Sequence, residues 1–197
     1  MYGARIMKPV ALRLTATGTY TSPVNCKYIQ VYIIGGGGSG AGGTGTLAGG
    51  GGGPGQVLLL YLDAGVYTYV IRAAAAGVAA GVNGNPGLDT TFNGVDALGG
   101  TEGEFTSPTI AASSSVTGAA GTIRMGMIAA QAGMIGDTSG NGGTNMFGLN
   151  GLGAQSTTFS YNGTTGSLFG SGGAGGLGAT GTGAAGQKGG CIVIEHY

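Results

Sequence analysis

Four short runs of β-branched, aromatic and leucine residues stand out along the chain: Tyr28–Ile34 (YIQVYII), Gln56–Leu62 (QVLLLYL), Val66–Ile71 (VYTYVI) and Cys191–His196 (CIVIEH). Each is bounded by glycine or turn formers, the pattern of strands. In Tyr28–Ile34, Ile29, Val31 and Ile33 alternate with Tyr28, Gln30 and Tyr32. That period of two predicts one apolar face. Leu58–Leu62 is apolar at nearly every position and predicts a central strand covered on both sides. Asp63-Ala64-Gly65 joins two of the runs at hairpin length. Thr15–Ser22, ended by Pro23, reads as an edge strand. No segment carries a helical period; Met125–Ile135 comes nearest, but Gly126 and Gly133 interrupt it.

Between the strands the texture changes. Stretches 35–55 and 171–190 are glycine-rich, and Gly172, Gly175, Gly178 and Gly181 fall at every third position, as do Gly183, Gly186 and Gly189. Gly81, Gly84 and Gly87 repeat the rhythm. Three residues per turn is the period of the polyproline II helix, which makes no internal hydrogen bonds. Its N–H and C=O groups need partners outside it. Glycine lets neighbouring helices approach until they bond to one another, so the tracts predict a bundle of polyglycine II helices. Collagen would need strict Gly-X-Y and abundant proline, whereas proline is 5 residues here and the phase breaks. The expected architecture is all-β. An antiparallel β-sandwich or jelly-roll framework (about 10–34, 56–72 and 190–197) carries glycine-rich insertions at about 35–55 and 73–190, all in one domain.

Composition narrows the function. Glycine fills 49 of 197 positions, charged residues are 7%, and Lys+Arg 7 balances Asp+Glu 7. A hydrophobic share of 42% separates the chain from charged, apolar-poor disorder. Zero net charge leaves no footprint for nucleic acid. No apolar run approaches the length that spans a bilayer, so membrane insertion is not expected. The start, Met1–Pro9, lacks the apolar core of a signal peptide, and secretory export is not expected. Cys26 and Cys191 make no disulfide framework; two buried thiols are the simpler reading and a Cys26–Cys191 bridge the alternative.

Catalytic patterns fail on inspection. Gly40–Gly45 fits G-x-G-x-x-G, but Thr46–Pro54 cannot form the helix that would receive a pyrophosphate. His196 is the one histidine and reads as closing the last strand at a solvent edge beside Glu195. Glu102 and Glu104 read as an exposed alternation. No enzyme, metal site or cofactor is expected.

In order, GTYTSP (Gly18–Pro23), KYIQVYIIGGGGSG (Lys27–Gly40), GGGGGPGQVLLLYLDAGVYTYVI (Gly49–Ile71), GNPGLDTTF (Gly84–Phe92), GGAGGLG (Gly172–Gly178) and GQKGGCIVIEHY (Gly186–Tyr197) resemble the glycine-rich domain of bacteriophage tail fibre and tail tip proteins. A similar order occurs in the ectodomain of some animal receptor kinases, and the tracts resemble the polyglycine II adhesins of T-even-like phages. Unlike those adhesins, the chain has no evident fibre-attachment domain. The resemblance implies a virion protein assembled in the host cytoplasm and released by lysis: a fibre or tail-tip adhesin that binds a host cell-surface protein or glycan. A structural subunit (head fibre, decoration or tail-tip protein) is the alternative. Other fibre or tail proteins are the implied partners, and a homotrimer the implied assembly. Aromatic residues flanked by Gly, Ser and Asn between Leu88 and Phe169 make Phe147, Tyr161 and Asn162, then Phe105 and Met146, the candidates for receptor contact.

Overall fold

The structure is a computed structural model that describes residues 8–45, 47–104, 139–145, 163, 165 and 169–197, with the backbone alone of 123–124 and 127–128. In chain order the strands are β1 (Val10–Leu14), β2 (Gly18–Thr21), β3 (Tyr28–Ile34), β4 (Val57–Asp63), β5 (Val66–Ile71), β6 (Thr90–Phe92), β7 (Val95–Ala97), β8 (Ile123–Arg124), β9 (Met127–Ile128), β10 (Thr144–Asn145) and β11 (Gly190–His196). They form two main antiparallel sheets, β1-β11-β3-β4-β8 and β2-β5-β6-β7, and a small β10-β9 pair. The last strand lies between β1 and β3, with Cys191 opposite Ile33 and His196 opposite Tyr28. The two ends of the domain therefore close one sheet.

The alternation of β3 behaves as read. Ile29, Val31 and Ile33 are fully buried and meet Val193 and Cys191 in the same apolar cluster as Tyr20, Phe92 and Ala97 of the second sheet. The two sheets thus pack face to face. The second sheet contributes mainly rings: Tyr67 and Tyr69 lie with their centroids 5.8 and 6.1 Å from that of Phe92. Opposite Tyr69 stands Gly18, where a Cβ would come within 2.9 Å of the tyrosine Oη. Val57–Leu60 is buried at every residue, but the double cover read for Leu58–Leu62 ends there: Tyr61 is exposed and Leu62 only half-buried.

Two readings change. The turn after Asp63 does not close a β4–β5 hairpin: β4 belongs to the first sheet and β5 to the second. Ala64-Gly65 instead carries the chain across the sandwich, with the Ser22 amide donating to the Gly65 carbonyl at 2.9 Å. Strands β6 and β7 also belong to the framework, inside a stretch that reads by composition as glycine-rich insertion. Their turn, Asn93-Gly94, has φ of 49° and 75°, the left-handed pair of a type I′ hairpin.

The polyglycine bundle continues the first sheet. Ile34 pairs with Val57, and one residue on, the Gly35 amide donates to Gln56 O. The same register then holds in steps of three, through Gly38 to Gly53, Ala41 to Gly50 and Thr44 to Leu47. Gly190 pairs with Ile34, and that register runs on as Gly37 to Gln187, Gly40 to Ala184 and Gly43 to Gly181. The third set of amides, Gly36, Ser39 and Gly42, donates to Leu88, Asn85 and Val82. Every N–H from 35 to 44 is used, each turn of three addressing three different neighbours. The carbonyls are used as well: Gly100 and Gly103 donate to Gly36 and Ser39, and Gly173 and Gly176 to Gly38 and Ala41.

This geometry accounts for the glycine rhythm. The 35–44 helix is surrounded, and a Cβ on Gly35, Gly37, Gly38, Gly40 or Gly42 would overlap a neighbour's carbonyl oxygen. The 181–188 helix lies outside it and turns only Gly183 and Gly186 toward it, against Gly40 O and Gly37 O. Peripheral helices therefore need glycine once per turn and the central one nearly everywhere. Positive φ is not the reason, since among the described glycines only Gly81, Gly94, Gly170 and Gly178 have it. The requirement is distance between backbones.

The run Gly172, Gly175, Gly178, Gly181 is consequently not one helix. Gly172 and Gly175 press against Gly52 O and Gly49 O, while Gly178, at φ 78°, turns the chain so that Gly181 starts the return. Replacing Gly175 with Val should lower the melting temperature by about 4 °C or more, because overpacking against backbone costs about 2 kcal/mol or more at roughly 2–4 °C per kcal/mol. Exposed Thr180→Val should melt like the wild type. Equal melts for the two variants would contradict the packed bundle. Deleting 191–197 removes the strand between β1 and β3 and should abolish the cooperative melt.

Candidate functional site

Phe105, Met146, Phe147, Tyr161 and Asn162 lie outside the described residues, but the residues that hold each are described. The chain reaches Phe105 from Glu104, whose carbonyl accepts the Gly50 amide at 3.0 Å. It reaches Met146 and Phe147 from Asn145, a buried residue whose Nδ2 donates to Phe169 O at 3.1 Å. After Tyr161 and Asn162 it returns at Gly163, whose amide donates to Thr182 O at 3.0 Å. The three anchors differ in level. Asn145 sits beside Gly55 and Phe169, next to the sandwich, whereas Gly50 and Thr182 lie toward the far turns at Thr44–Leu47 and Gly178–Gly181.

A surface the sequence reading did not single out lies on the outer face of the first sheet. Tyr28 stands opposite Asp63, and Gln30 opposite Tyr61. On two adjacent strands this sets rings on one diagonal and hydrogen-bonding groups on the other. Tyr28 is 42% exposed and Tyr61 55%. On its other side Tyr28 stacks on His196, centroids 4.3 Å apart and planes at 7°. Gln30 Nε2 donates to Tyr32 Oη at 2.7 Å, which fixes the amide. Alternate polar positions in β3 already implied this face; its second row, from Tyr61 and Asp63, became visible only with the β3–β4 register.

Glu195 corrects the expectation of a solvent edge. It is buried on the inner face, accepting from Tyr20 Oη at 2.9 Å on Oε1 and from Tyr197 Oη at 2.6 Å on Oε2. Tyr20 belongs to β2, so this bond ties one sheet to the other across the core. Burial, and then the bond to Glu195, pushes the Tyr20 phenol well above its ordinary range. The bond to Glu195 pushes the Tyr197 phenol up to about 12. Cys26 and Cys191 are both buried free thiols, and burial pushes Cys191 up to about 12. Among the described residues no group of three or more His, Cys, Asp or Glu is placed to hold a metal ion.

Residues 14–193 match the model of a family described as a glycine-rich domain. The chain belongs to that family. The match runs from the end of β1 almost to the end of β11, so the glycine-rich domain comprises the sandwich and the bundle together. No curated protein matches the chain.

Two measurements probe how this glycine-rich domain is locked. Glu195→Gln leaves one carbonyl oxygen for two phenolic donors and should cost about 1–3 kcal/mol in denaturant unfolding. Cys191 and Tyr197 hold their protons more tightly folded than unfolded, where their ordinary values are 9.0 and 10.0. The stability they contribute is complete below pH 9 and is lost as pH climbs toward 12. The melting temperature should therefore begin to fall above pH 9, and Cys191→Val should delay that fall to about pH 10, where the unfolded tyrosines begin to ionise.

Proposed function

We propose that this glycine-rich domain is a non-enzymatic bacteriophage virion protein, a fibre or tail-tip adhesin that binds a host cell-surface protein or glycan. The observation that carries the reading is the division of labour in the chain. The bundle is held by backbone hydrogen bonds among the glycine tracts, and the connections that carry the candidate residues leave it at Glu104 and Asn145. Such connections can vary in sequence while their ends stay fixed, which suits recognition on a rigid scaffold. The connection that leaves at Asn145 carries Phe147, Phe159 and Tyr161 beside Gly, Ser and Asn, a composition that gives contact area at low entropy cost, and the one that leaves at Glu104 starts with Phe105. The order of strands and glycine blocks, with its likeness to tail fibre and tail tip domains, supplies the setting. The Tyr28, Gln30, Tyr61 and Asp63 face adds a second accessible surface with amphipathic rings.

Fluorescently labelled domain, applied to a panel of bacterial strains, should bind at least one of them. Phe147→Ala and Tyr161→Ala should each reduce that binding at least tenfold while leaving the melt unchanged. Gold-labelled antibody should mark the free end of a fibre or tail on intact particles. Label packed within the particle, with no strain bound, would favour the structural subunit instead.

A further inference from the structure

Strand β1 pairs with β11 on one side, and among the described residues no strand lies on the other. Four of its five residues are exposed. A free edge of this kind invites pairing with another chain unless charge, proline, a bulge or a cover blocks it. Here Lys8 and Pro9 stand only at its start. The one charge within it, Arg13, is engaged elsewhere, its Cζ lying 4.9 Å from the centre of the Phe169 ring.

The register places the side chains. Val10, Leu12 and Leu14 stand opposite Glu195, Val193 and Cys191 and so share the inner face of the first sheet. Leu14 packs on the core, but Val10 and Leu12 remain 44% and 37% exposed, an apolar ledge that the second sheet leaves uncovered. The sequence VALRL is suited to meet itself antiparallel about Leu12. Leu12 would face Leu12 of the other copy, Val10 would face Leu14, and Arg13 would face Ala11 rather than another arginine. No like charges oppose, and the ledge continues across the seam.

We propose that two copies of this domain associate through antiparallel β1–β1 pairing, making the first sheet continuous across a two-fold axis at Leu12. This is independent of the adhesin reading, and it predicts a dimer where resemblance to fibre proteins suggested a trimer. The pairing satisfies the outward N–H and C=O groups of both edges and covers both ledges at once.

Light scattering of the full chain at submillimolar concentration should give twice the 18.8 kDa chain mass. Leu12→Lys sets two charges face to face on the axis and should return the mass to that of one chain with an unchanged melt. Ala11→Glu, opposite Arg13 of the other copy, should tighten the dimer severalfold. Leu12→Cys should cross-link to itself under mild oxidation, since directly opposed Cβ atoms lie about 5 Å apart; the native thiols are buried and do not compete. A single-chain or three-chain mass would overturn the proposal. So would a dimer that Leu12→Lys leaves intact or in which Leu12→Cys fails to cross-link.

Discussion

The fold depends on one constraint: a backbone without side chains must satisfy its hydrogen bonds with other backbones. In the first sheet each inner strand has two neighbours, and successive residues address them alternately. At Ile34 the side chains stop. Gly35 keeps the register of the β3–β4 pair, but from there each residue in a turn of three addresses a different neighbour. A planar sheet becomes a bundle extended in two directions without any loop between them. The change is possible because glycine leaves open the direction a side chain would take, and a further backbone fills it: a Cβ on Gly35 would strike Leu98 O.

This arrangement also sets the distribution of apolar residues. The bundle interior is filled by peptide groups and small side chains such as Ala41, Ala174 and Ser39, all fully buried. Large apolar residues concentrate in the sandwich, where Ile29, Val31, Ile33, Leu58 and Phe92 form its core. The sandwich supplies hydrophobic stabilisation and orients the three central strands; the bundle inherits that orientation. At the junction Gln56 exchanges hydrogen bonds with the Leu98 backbone, its main-chain N–H donating to Leu98 O and its side-chain Oε1 accepting from Leu98 N. A side chain there imitates the backbone pairing of its neighbours.

Buried polar chemistry serves cohesion in the same spirit. Glu195 has no cation against it among its hydrogen-bond partners, only two phenols, one from each side of the core and chain end. Such a site orders Tyr20 and Tyr197 and penalises any slip of β11, because a shift of one residue would carry the carboxylate to the other face. The reactive groups of the framework are thereby committed to structure, and the outer face of Tyr28, Tyr61, Gln30 and Asp63 is left for contact.

Much of this was legible in the residues. The period of two in Tyr28–Ile34 announced a buried face, β-branched runs announced the strands, and glycine at every third position announced helices packed at backbone distance. These are local consequences of side-chain size, which a sequence states directly. The Asn93-Gly94 hairpin was equally local and was obscured only by the glycine-rich composition around it. Partner choice was different. That Ala64-Gly65 crosses between sheets, that Gly178 turns a helix back on itself, and that Glu195 points inward toward Tyr20 all depend on residues far apart in the chain. The candidates Phe105, Met146, Phe147, Tyr161 and Asn162 were chosen from composition, and the structure places their anchors at different levels of the bundle. Side-chain size was determined by the sequence, while the tertiary structure decided which backbone each glycine would touch, because hydrogen-bond partners that distant are chosen by packing rather than by local preference.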